Sequence, residues 1–185
     1  MSSCRPLAPT HGFRQCLTDP VSRADLVWSV EKALAAAHLP PERLEIEITE
    51  GVLIQNTAEA LRTLTQLKQV GVKIAMDDFG TGYSSLSYLQ KFPFDKIKID
   101  RSFIASLCEE NSSIVRAIVS LGHSLGMHTC AEGVETDEQL WLLRREGCEQ
   151  AQGYLFGAAM EAEMVDLLMP AAMAGPRSTR LRAVS

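Results

Sequence analysis

Five times along this chain a short apolar, strand-like run ends in a charged or amide residue, and a helix-like run follows. The runs are Leu44–Glu50, Val72–Asp78, Asp95–Asp100, Met127–Glu132 and, weakest, Glu149–Gly153. Such alternation implies right-handed crossovers and a parallel sheet, so the strand ends should lie side by side at one edge. In closed and open α/β folds alike, that carboxyl edge is where ligands bind. The pattern therefore gathers Glu47, Asp77, Asp78, Lys98, Glu132 and Gln152 into one place.

The strands carry a second regularity. Leu44, Ile46 and Ile48 share one face of their run, and Glu45, Glu47 and Thr49 the other. Ile97 and Ile99 likewise oppose Lys96, Lys98 and Asp100. A parallel strand buried on both faces normally reads as a continuous apolar run, so this alternation points to a barrel with helices outside and polar residues inside. Inward charges must be paired or bound to metal, and Lys98 among Glu47, Asp77 and Glu132 meets part of that need. The expected helices are Arg23–His38, Thr57–Val70, a short one within Ser84–Phe92, Ser112–Leu125, Thr136–Glu146 and Glu161–Met169. Gly71, Gly126 and Gly147 act as stops, and Thr136-Asp137-Glu138-Gln139 as a start. Residues 1–22 read as an irregular segment with three prolines, and 171–185 as a mobile tail.

Bulk properties exclude several function classes. At 185 residues and 46% hydrophobic, the chain can bury one substantial core. It is short for a closed eight-stranded βα barrel of roughly 250 residues. A net charge of −5 argues against a nucleic-acid groove or an anionic membrane surface. The five cysteines are scattered with no C-x-x-C pair, as expected of reduced thiols in a cytoplasmic protein. Cys130 reads as plain core, and the four histidines show no ligand spacing. No apolar run approaches the roughly 18 residues of a membrane span.

Hard oxygen donors without cysteine or histidine favour Mg²⁺ or Mn²⁺ over zinc. Adjacent Asp77 and Asp78 can serve two metals, with Glu47 and Glu132 as ligands from neighbouring strands. Two metals about 4 Å apart clamp a phosphodiester and activate water for in-line attack. Lys98 would position that water or neutralise developing charge, and Gln152 would hydrogen-bond water or substrate. The alternative is a structural salt-bridge network at the rim. Acids or amides at all five strand ends favour a metal-dependent phosphate-ester hydrolase.

The motifs Glu47-Ile48-Thr49-Glu50, Asp77-Asp78-Phe79-Gly80-Thr81-Gly82-Tyr83-Ser84-Ser85-Leu86, Lys98-Ile99-Asp100-Arg101-Ser102-Phe103, Ala131-Glu132-Gly133-Val134-Glu135-Thr136 and Gln152-Gly153-Tyr154 resemble successive motifs of the EAL domain. The resemblance covers about residues 23–170. It implies a (β/α)₈ TIM-like barrel with one antiparallel strand, and a bacterial cyclic-di-GMP phosphodiesterase that linearises its substrate to pGpG. Carried over by position, Glu47 and Asp77 match metal ligands, while Asp78 and Glu132 match the second-metal side. Lys98 matches the water-orienting lysine and Gln152 the active-site glutamine. Glu50 matches the acid that braces the Phe79–Ser85 loop with its Gly80 and Gly82, and Glu135 a second-shell acid. The 79–86 region further implies a homodimer contact.

Departures from the pattern set a further expectation. No Glu-Ala-Leu motif precedes Glu47, and no asparagine occurs before Asn56 although one is expected near Thr10. Gly157-Ala158-Ala159-Met160 stands where a small residue, a basic residue and proline are expected. The domain is thus read as incomplete at its N-terminus, with about five βα units and one side of the two-metal site unfinished. The competing reading is a degenerate module that binds nucleotide or protein without turnover.

Overall fold

The computed structural model describes residues 23–51, 57–80, 86–108 and 112–159. Helix α1 (Arg23–Ala37) ends at His38, which takes a left-handed φ of 49°, ahead of the Leu39-Pro40-Pro41 stop. A 3₁₀ turn (Pro41–Arg43) leads into β1 (Glu45–Thr49). Next come α2 (Thr57–Val70), β2 (Lys73–Phe79), α3 (Leu86–Lys91) and β3 (Lys96–Ile99). Then follow α4 (Arg101–Ala105), α5 (Ser113–Ser124), β4 (His128–Ala131), α6 (Asp137–Arg145) and β5 (Gln150–Ala151). The expected boundaries hold to within one or two residues. Residues 1–22, Gly82 and the expected helix Glu161–Met169 with its tail lie outside the described residues.

Local chemistry explains the ends. Thr136 and Gln139 form the reciprocal capping box at the start of α6. Gly71, at a φ of 103°, ends α2, where a side chain would be strained. Helix α4 is not foreseen by apolar periodicity; Asp100 starts it by accepting from the Ser102 amide at 2.9 Å.

All described strands are parallel and pair in chain order, β1-β2-β3-β4-β5. Helices between successive strands wind this sheet as consecutive βα units of a barrel wind. The face towards the helices is apolar. Ile97 and Thr129 pack at Gly122 of α5, where a Cβ would come within 2.6 Å of Thr129 Cγ2. Leu67, Ile74, Met76, Ile97 and Ile99 are all but fully buried. Each contributes about 1.5–3 kcal/mol by leaving water.

The opposite face is charged, as the alternation predicts. Lys96 is buried against Glu45 at 2.6 Å, and two residues along, Lys98 is buried against Glu47 at 2.7 Å. Lys68, near the end of α2, grips Asp95 at 2.7 Å, and Asp95 also accepts from the Ile74 amide. That clamp sets the entry of β3 beside β2. Among the described residues, no helix is long and apolar enough to cross a membrane.

Candidate active site

At the carboxyl edge, one lysine organises the acids. Lys98 lies on β3 with only 3% of its side chain exposed. Its ammonium is 2.5 Å from Glu132, 2.7 Å from Glu47 and 2.9 Å from Asp77. An ammonium has three donors, and three carboxylates take them. The acids arrive from β1, β2 and the residue after β4, because parallel register brings those strand ends level. Glu132 is fixed there by its amide donating to Ile99 O at 3.0 Å. Gln152 is drawn in by its amide to Ala131 O at 2.8 Å, and its side chain donates to Glu132 Oε1 at 2.7 Å.

Two consecutive aspartates would ordinarily point to opposite faces of a strand. The pairing of β2 with β3 resolves this: Met76 is level with Ile97, but Phe79 with Ile99. Three steps along β2 therefore match two along β3, a bulge that holds one extra residue at Asp77-Asp78. Asp78 has a φ of 54°, in the left-handed region. As a result, carboxylate oxygens of Asp77, Asp78 and Glu132 lie within 4.8 Å of one another. Glu47 stands outside that triplet, held on Lys98.

The electrostatics follow from one ammonium shared by several acids. Burial pulls the Lys98 pKa down, but hydrogen bonds to Glu132, Glu47 and Asp77 outweigh it and hold the group above its ordinary value. Burial pushes Glu132 up; Lys98 opposes this, while Asp77 and Glu47 add to it. The two shifts agree physically. The lysine has three partners and stays protonated, whereas no acid has the lysine to itself. Lys98 is therefore an electrostatic and hydrogen-bonding group rather than a base. Cys130, on β4 two residues before Glu132, is pushed up to about 12, mainly by burial, and is an inert thiol.

The remaining expected residues divide. Glu50 is buried directly after β1, while residues 81–85 of the loop it was expected to brace lie outside the described residues. Gly80 has a φ of 97° and lies against the Phe103 ring, which a Cβ would meet at 2.8 Å. Glu135 is exposed, and its amide donates to Gln139 Oε1. The literal triplet Glu59-Ala60-Leu61 lies on α2 with Ala60 in the core, not at a strand end. Sequence reasoning missed Gly153, whose missing Cβ would meet Val134 N at 2.2 Å. That close approach seats Gln152, since Val134 N donates to Gln152 O.

An all-oxygen triplet at a parallel sheet's carboxyl edge is a donor set that suits a hard cation, placed where βα-barrel folds bind their ligands. Sequence comparison gives the family: the EAL domain pattern matches residues 14–159, and the chain belongs to the EAL domain family. It is 43% identical over 143 residues to the cyclic di-GMP phosphodiesterase NbdA of Pseudomonas aeruginosa, covering 76% of this chain and 18% of NbdA. A solved PaMucR phosphodiesterase in complex with c-di-GMP is 44% identical, with a TM-score of 0.72, covering 78% of this chain and 59% of that one. The manganese/cyclic-di-GMP complex of Klebsiella pneumoniae BlrP1 is 36% identical, with a TM-score of 0.65, over 71% of this chain and 34% of that one. The chain spans about a fifth of the length of the curated relatives it matches.

Proposed function

We propose that this chain carries the metal-dependent site of a cyclic-di-GMP phosphodiesterase, opening the cyclic dinucleotide to pGpG. The observation that carries this reading is the convergence of Asp77, Asp78 and Glu132 beside a protonated Lys98. The donor set fits Mg²⁺ or Mn²⁺, because every donor is a hard oxygen and the bulge aims two adjacent carboxylates together. The named relatives that act on or bind this dinucleotide support the same substrate. Bound there, such ions would polarise the phosphodiester and lower the pKa of water.

The chain's own residues have definite tasks. Asp77, Asp78 and Glu132 would hold the cations, and Glu47, once released from Lys98, would be available as a further ligand. Lys98 donates a hydrogen bond to the attacking water and offsets charge building on phosphorus. Gln152 keeps Glu132 oriented and offers its amide to water or phosphate. Glu50 and Gly80 shape the loop after β2, and Glu135 acts from outside the site. A cytoplasmic location and a homodimer contact through residues 79–86 belong to the same proposal.

A second reading is nucleotide binding without turnover. It is favoured by Lys98 already occupying three carboxylates. Incubation with cyclic-di-GMP and Mn²⁺, followed by chromatography, separates the readings. The catalytic reading expects pGpG as first product, loss of product with EDTA or Asp77→Asn, and no product with Ca²⁺. Metal-dependent binding of the dinucleotide with no pGpG would establish the second reading. Neither binding nor product would contradict both.

A further inference from the structure

The carboxyl edge carries a basic residue that the acid cluster does not use. Arg101 follows Asp100 directly after β3 and is exposed. On the described strand ends and the loops that leave them, Lys98 and Arg101 are the basic residues. Lys98 is buried, and carboxylates take its three donors. Among the described residues, no ion pair or hydrogen bond holds the Arg101 guanidinium. Its neighbour Asp100 is already committed, accepting from the Ser102 amide at 2.9 Å. That bond is the chief cause holding the Asp100 carboxyl below its ordinary value, and the charge of Arg101 is a lesser one.

The stem of Arg101 has a fixed seat. Gly133, the residue after Glu132, has a φ of 69°, and a Cβ there would meet Arg101 Cβ at 2.7 Å and Cα at 3.5 Å. Arg101 therefore rests on the loop that carries Glu132. That loop continues to Val134, whose backbone is pressed against Gly153, the residue after Gln152. Arg101, Glu132 and Gln152 thus leave β3, β4 and β5 from adjoining loops, with glycine at both close approaches.

An exposed arginine without an acid, at the rim of an acid-lined site, is suited to an anion that arrives from solvent. Its planar fork of five donors matches phosphate oxygens, two at a time. A phosphate-bearing ligand approaching this edge meets clustered carboxylates, and a positive charge held beside them offsets that repulsion. Resting on the reading above of a cyclic-dinucleotide site, we propose that Arg101 is a substrate-binding residue whose guanidinium takes a phosphate of the dinucleotide beside Glu132. It is neither a metal ligand nor a base.

The test is calorimetric titration of the full chain with cyclic-di-GMP in Ca²⁺, where no cleavage is expected. The wild type should bind, and Arg101→Ala should raise Kd at least about 10-fold. Arg101→Lys, which keeps the charge, should recover most of that loss. Both variants should keep the Mn²⁺ affinity and the unfolding midpoint of the wild type, which a structural role for Arg101 would lower. Wild-type binding that Arg101→Ala leaves unchanged would overturn this proposal alone. So would a lysine variant as weak as the alanine variant, or a loss of Mn²⁺ affinity or of stability in Arg101→Ala. A wild type that does not bind the dinucleotide would overturn the reading of the site itself, and this proposal with it.

Discussion

Two layers of one sheet face differ in how their charge is balanced. In the lower layer Lys96 has Glu45 on the same pair of strands that, two residues higher, carry Lys98 and Glu47. The lower pair is one for one, and nearby Lys68 and Asp95 are matched in the same way. In the upper layer Lys98 serves Glu47, Asp77 and Glu132 together, with Asp78 beside them. Both layers cost desolvation to bury. Only the upper one gathers three carboxylates on one lysine, with Asp78 beside them, and such crowding of acids is what the proposed cation site uses. The one-to-one pairs are the geometry of a structural contact, and the shared lysine is the geometry of the proposed site.

The largest effect should come from removing the shared cation. Lys98→Met leaves three carboxylates facing one another and should destabilise the metal-free chain by about 3–5 kcal/mol in denaturant unfolding. Millimolar Mn²⁺ should recover much of that loss, since it replaces the missing charge. A loss of the same size with and without Mn²⁺ would make the upper layer structural, like the lower. Gly153→Ala tests the frame rather than the charge. Its Cβ would collide with the Val134 backbone at a φ of 155°, and a cost of about 2–3 kcal/mol is expected in the same assay.

Smaller effects belong to the matched charges. Replacing Lys96 and Glu45 together by Met and Leu should change stability by no more than about 1 kcal/mol and leave Mn²⁺ affinity as it was. A loss of Mn²⁺ binding in that variant would erase the distinction between the layers. The smallest effect is expected from Glu146→Gln, where the largely exposed Arg116 covers the carboxylate. The Arg116 hydrogen bond, with help from Ser112 and Arg145, holds the Glu146 carboxyl at about 2. A carboxyl depressed in the folded state stabilises above its unfolded value of roughly 4.3 and stops doing so as pH falls through the folded value. The wild type should therefore unfold at slightly higher denaturant than the variant near neutrality. That difference should shrink towards nothing as pH approaches about 2.

Much of this was legible in the sequence because a period of two survives wherever a strand has one apolar and one charged face. Glu45, Glu47, Lys96 and Lys98 could be assigned to the interior from that alternation alone. Their pairing could not, because it depends on register: Ala75 is level with both Glu47 and Lys96, which fixes the relative height of β1 and β3. The bulge at Asp77-Asp78 leaves no pattern in the sequence, yet it brings both aspartates to one place beside Glu132. Helix α4 was hidden for another reason, since five residues are too few to show a helical period. The Asp100 cap was its one visible signal. The histidines showed no local pattern either, because Glu149, which meets His128, is 21 residues beyond it. Only the pairing of β4 with β5 brings it back. Glu59-Ala60-Leu61 is the converse case, a meaningful triplet in the wrong secondary structure.

The central claim is that the clustered acids at the carboxyl edge hold divalent cations. Titration of Mn²⁺ into the chain, followed by the electron paramagnetic resonance of the free ion, tests it directly. The account predicts saturable binding that Mg²⁺ displaces, with affinity lowered at least about 10-fold by Asp77→Asn. Glu45→Gln, one layer below, should leave that affinity unchanged. Mn²⁺ that remains free at all concentrations, or that binds equally well to wild type and Asp77→Asn, would contradict it.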